Sequence, residues 1–209
     1  MTATTMTLAS APELLVDRYL PRFDRIIVEH TVVEADVPTT WRALCPLDLG
    51  RVHTPLMDAA TAVRALPARV SRRLGRDVAP DPPTRMPLRG GPPVVGWLPL
   101  GEVAEHEIAV GAVGRFWQPA IEWYDVSAMT PERFAAFDEP GWGRIAASLS
   151  LCPYGTRRTV VSYEARTALG DPGSARRFAR YWFFVRPFAR HIMRATLATV
   201  AADAEGRSR

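Results

Sequence analysis

Apolar and polar positions in this chain follow two periods, and the places where the period changes mark its elements. From 174 to 204 the apolar residues recur at helical spacing. At about 100° per residue, Phe178, Tyr181, Trp182, Val185, Phe188, Ile192, Thr196 and Val200 fall on one side. Arg176, Arg180, Arg186, Arg190 and Arg194 fall on the other. A helix this long and one-sided needs a surface of matching length, and two strand-like segments, 144–152 and 156–168, come directly before it. Pro187 removes the backbone bond to the Phe183 carbonyl and predicts a kink. Phe183 lies among the arginines, which predicts cover from Leu14, Leu15, Tyr19 and Leu20, or contact with a partner or an anionic membrane surface.

Upstream, residues 11–20 form a short amphipathic helix stopped by Pro21, and the β-branched run 24–34 reads as a strand. Asp36, Val37 and Pro38 open a helix whose apolar face is Trp41, Leu44 and Cys45. A second helix is expected from Pro55 to Leu66. Between Ala68 and Pro93, dense Pro and Gly predict a loop, with 78–93 as a lid. Further strands are expected at 94–100, 104–113, 115–122 and about 133–137. Ser174 is the expected N-cap of the long helix. Consecutive strands with short turns favour antiparallel pairing, and one face of such a sheet falls to the terminal helix. The fold class is therefore α+β: a curved antiparallel sheet around a long C-terminal helix, with two short helices after the first strand.

Composition narrows the picture. With 209 residues and 47% apolar content, the chain can bury a sizeable core. Its formal charge of +4 comes from Arg alone, since the sequence has no Lys, and this mild balance does not call for nucleic acid. Cys45 and Cys152 lie far apart and outside any metal-spaced set, which predicts unpaired buried thiols. The N-terminus has neither a basic region nor a long apolar run, and no segment has the length and apolarity of a spanning helix. A cytoplasmic protein is expected, organised as an N-terminal extension (1–21), a main domain (22–204) and a short tail (205–209).

Four segments carry a resemblance: HTVVEADVPTTWRAL at 30–44, VGAVGRFWQP at 110–119, TRRTVVSYEARTAL at 156–169 and RRFARYWFFVRPF at 176–188. Together with the element order, they resemble the helix-grip fold of the SRPBCC superfamily over about residues 22–202. That superfamily includes START-like lipid carriers and polyketide cyclases. The resemblance implies a hydrophobic small molecule held between sheet and helix, with a minority of members acting as cyclases, hydrolases or oxygenase subunits. The iron-binding spacing of the oxygenase branch has no match here, because His30/His53 and His106/His191 are too widely separated. No metal, cofactor or catalytic residue is assigned.

The candidate chemistry has structural alternatives. Trp97, Phe116, Trp117, Trp142, Tyr163, Tyr181 and Trp182 either line a ligand chamber or fill a core. Glu164 and Arg166 share one strand face and are either charges inside a cavity or an ordinary solvated pair. His106 and Glu107 point to opposite faces, so only one of them can reach a cavity. His30, between Val28 and Val32, is expected among apolar neighbours. Arg115 either binds an anionic head group or caps the end of the sheet. The leading expectation is hydrophobic ligand binding through His106, Glu107, Arg115, Trp117, Trp142, Tyr163, Glu164, Arg166 and Trp182. The rivals are a cyclase or dehydratase using one of His106, Glu107 or Glu164, and a module docking its Arg-lined helix on an acidic partner.

Overall fold

The computed structural model describes residues 13–51, 86–90, 94–118 and 120–207. In chain order the elements are α1 (Leu15–Tyr19), β1 (Arg25–Val33), α2 (Val37–Leu44), a 3₁₀ turn (Leu49–Arg51), β2 (Trp97–Val103), β3 (Glu107–Arg115) and β4 (Glu122–Trp123). They are followed by α3 (Pro131–Ala136), β5 (Gly143–Pro153), β6 (Thr159–Leu169) and α4 (Pro172–Ala204). The strands form one antiparallel sheet in the order β1-β6-β5-β3-β2, and the short β4 pairs with the far end of β3. This is the α+β helix-grip architecture expected from the pattern.

The local reasons are legible. Asp36 caps α2 by accepting from the Thr39 N–H, with Pro38 in the first turn. α4 begins three residues earlier than expected. Its cap is Asp171, which accepts from the N–H groups of Gly173 and Ser174, while the Ser174 hydroxyl donates to the same carboxylate. These bonds hold the Asp171 carboxyl far below its usual range, the Ser174 hydroxyl having the largest effect. The helix continues unbroken across Pro187.

Two strand assignments are corrected. Segment 131–136 is a helix, because Thr130 accepts from the Arg133 N–H and Pro131 starts the first turn. The segment 115–122 is mostly a turn that leaves only the two-residue β4, while Gly114 lies inside β3. A Cβ at Gly114 would stand 3.0 Å from the Glu122 carbonyl oxygen, so glycine is what lets β4 approach. The expected helix 55–66 lies outside the described residues, as does most of the expected lid.

Each sheet face is covered, and by different elements. α4 lies over β1 and β6 and packs against α2. At one end it buries Leu197, Val200 and Ala201 with Val33, Trp41, Leu44, Leu149, Leu151 and Val161. At the other end Phe178 meets Ala112 and Phe116. The opposite face carries α1 and α3, whose Val16, Tyr19, Leu20 and Phe134 bury against Leu98, Leu100, Ala109, Val113 and Ala146. Phe134 comes close because Gly111 has no side chain: a Cβ there would meet it at 3.0 Å. The expectation that the N-terminal segment covers Phe183 is therefore overturned. That segment lies on the far side of the sheet, where its apolar residues find a larger surface, and Phe183 stays 77% exposed.

Candidate functional site

The long helix is fully buried only toward its ends, while in its middle Arg190 ties it to Glu29 of β1. Ser174, Phe178, Met193, Thr196, Leu197, Val200 and Ala201 are buried, and no residue from 179 to 192 is. That span is about 20 Å at the rise of an α-helix. The sheet-facing side chains within it, Tyr181, Trp182, Val185, Phe188 and Ile192, are only half-buried. The sheet face toward them carries the cross-strand row Ile27, Ala165, Ala147 and Val110 on β1, β6, β5 and β3, with the small side chains at Ala165 and Ala147. The two alanines give the half-buried side chains of the helix little to pack on between the bulky clusters at either end, and this stretch is the candidate groove.

Aromatic residues line this groove. Trp182 stacks on Phe178 with ring centroids 5.6 Å apart, and Trp97, Trp117 and Tyr181 pack on the same end cluster. Tyr163, on the helix-facing side of β6, packs on the opposite cluster. Its hydroxyl makes no hydrogen bond among the described residues, and burial pushes its pKa up to about 12. It therefore stays protonated at any ordinary pH and offers a neutral donor. At the β2 edge, sharing Val110 with the cross-strand row, lies a cavity of about 130 Å³ lined by Leu49, Met86, Leu88, Trp97 and Pro99, among others. A dry cavity of about 150 Å³ accepts benzene, while drug-sized ligands need roughly 300–1,000 Å³. This half-open cavity has room for about one ring or a short branched chain.

The charged residues lie elsewhere. Glu107, Glu164 and Arg166 point to the face under α1, away from the long helix, where they hold α1 in place. The Leu15 N–H, at the start of α1, donates to Glu107 at 2.6 Å. Arg166 donates to the Val16 and Leu20 carbonyls at its end and pairs with Asp17 and Glu164. A carboxylate at the N-terminus and a guanidinium at the C-terminus both complement the helix dipole. Neither reading offered for the Glu164–Arg166 pair survives: the pair is covered by protein, with Arg166 only 7% exposed, and it faces no groove. Glu107 is fully buried, and desolvation, opposed by the Leu15 bond, raises its pKa. Arg144 repeats the device by donating to the Phe134 and Ala135 carbonyls at the end of α3.

Arg115 caps the sheet end. It donates to the Gly141 carbonyl, pairs with Glu122 and lies 4.4 Å from the centre of the Trp142 ring. Trp142 belongs to that corner, edge-on to Tyr124, and not to the groove. His106 sits in the β2–β3 turn, one residue before β3, and its buried Nε2 has no partner among the described residues. His30 is exposed and bonds Ser162, contrary to its expected apolar setting. Cys152 is exposed rather than buried, and both thiols are free.

One feature of the helix side was not foreseen. Glu29 on β1, 8% exposed, accepts from Arg190 and Arg194 of α4. The Arg190 bond, then the Arg194 bond, hold its carboxyl below the usual range. The sequence signal was an acid at an inward position of an apolar strand, matched by arginines four residues apart on the helix.

No protein-family model and no curated protein matches the sequence. Among solved structures, the chain is similar to norcoclaurine synthase from Thalictrum flavum in complex with dopamine and hydroxybenzaldehyde, at 9% identity over 88% of each chain, with a TM-score of 0.41. It is also similar to protein MLL2253 from Mesorhizobium loti, at 14% identity over 88% of this chain and all of that one, with a TM-score of 0.39. At this distance the likenesses say nothing of activity. Among the described residues no three His, Cys, Asp or Glu side chains converge, and no helix is long and apolar enough to cross a membrane.

Proposed function

We propose that the protein binds a hydrophobic small molecule, lipid or polyketide-like, in the groove between the sheet and the middle of α4. One observation carries this reading: no helix residue from 179 to 192 is fully buried, and its sheet-facing apolar side chains stand half-exposed on the side of Ala147 and Ala165. An apolar ligand would supply the missing contacts, with a ring or branched end in the cavity beside Trp97. The Tyr163 hydroxyl would take its polar atom. Tyr163 stays protonated and so suits hydrogen-bond donation to a bound ligand. Glu107 and Glu164, the carboxylates expected to act, are engaged on the other face.

Native mass spectrometry of gently purified protein, followed by solvent extraction, tests this. The expected result is a discrete added mass that extracts as an apolar compound and is absent from Ala165→Phe, which fills the groove floor. A clean apo mass, unchanged after incubation with lipid and polyketide mixtures, would overturn it.

A further inference from the structure

The outward face of α4 carries a second feature that the groove does not use. Phe183 and Phe184 are each 77% exposed and stand edge-to-face, 5.3 Å apart. At about 100° per residue they share a single arc with Arg176, Arg180 and Pro187, flanked by Arg177 on one side and Arg186 on the other. The helix contains no acidic residue before Asp203. Glu29 occupies Arg190 and Arg194, but Arg176, Arg180 and Arg186 are exposed and have no carboxylate partner among the described residues.

From this arrangement we infer that the outward face of α4 docks on an anionic lipid bilayer, with the two phenylalanines in the interface and the arginines on the head groups. Two exposed aromatic rings flanked by guanidinium groups are what an amphipathic interfacial helix presents. A second copy of the chain fits poorly, since two such faces would oppose arginine to arginine. Each arginine near an anionic surface strengthens partitioning by roughly fivefold. The inference stands whether or not the groove holds a ligand.

Sedimentation of the full chain with vesicles tests it, comparing phosphatidylcholine alone with an equal mixture of phosphatidylcholine and phosphatidylglycerol. Binding is expected only to the anionic vesicles, weakened by high salt. The double variant Phe183→Ser/Phe184→Ser should lose at least about tenfold in partitioning with its circular dichroism unchanged, because both side chains are already in solvent. Arg180→Glu/Arg186→Glu should lose at least as much. Absence of binding to anionic vesicles, or equal binding by the variants, overturns the inference. Binding to polyglutamate but not to vesicles would overturn it as well, and would reassign the face to an acidic protein.

Discussion

At the scale of single residues, Arg166 and Glu107 show how a five-residue helix is kept in place. Replacing Arg166 by Met leaves Glu164 buried beside no cation and the Val16 and Leu20 carbonyls uncapped. The expected loss is about 3 kcal/mol in urea unfolding, and Lys should not restore it, because one ammonium cannot reproduce the fork of contacts. Glu107 acts in the opposite sense. Burial raises its folded pKa above the ordinary 4.5, so the folded protein keeps this proton to higher pH than the unfolded chain. Its contribution is full in acid and declines as pH rises from 4.5 through the folded value. Glu107→Gln keeps an acceptor for Leu15 without that decline. Its stability relative to the natural protein should therefore increase with pH, and urea titrations from about pH 4 to 8 would reveal a constant difference if the group is not shifted.

At the scale of elements, Glu29 ties α4 to the edge strand β1. Glu29→Gln should cost about 1–2 kcal/mol at neutral pH, a modest value because both arginines are partly in water. Its folded pKa is lowered, so this contribution is present above 4.5 and fades as pH falls through the folded value. Thermal melts of variant and natural protein should converge in acid, and an unchanged gap would refute the pairing. The elements themselves were largely readable: β1, α2, β5, β6 and α4 all follow from periodicity and caps. Segment 131–136 was misread because a six-residue helix shows less than two turns of period, leaving Thr130–Pro131 as the better signal. Inward and outward faces were not readable, since Glu164 and Arg166 looked alike under either orientation until α1 was placed over them.

At the scale of the whole molecule, the sequence leads to a site between sheet and helix, and the structure sorts the expected residues by face. Tyr163, Trp182 and Trp117 lie on the helix side, because aromatic residues at the apolar positions of α4 and β6 must face one another. The polar members dispersed, since burial under two short helices used their charges for capping. One further consequence follows from the pairing of β1 with β6, where Arg25 sits opposite Thr167 and Val33 opposite Thr159. Among the described residues β1 pairs with β6 alone, so its partner comes only when the last strand has emerged from the ribosome, and α1 must wait for Arg166 on that same strand. Closing so long a loop is slow. The newborn chain therefore carries an unpaired, β-branched strand through most of its synthesis, and its yield in a cell should depend on what shields that strand in the interval.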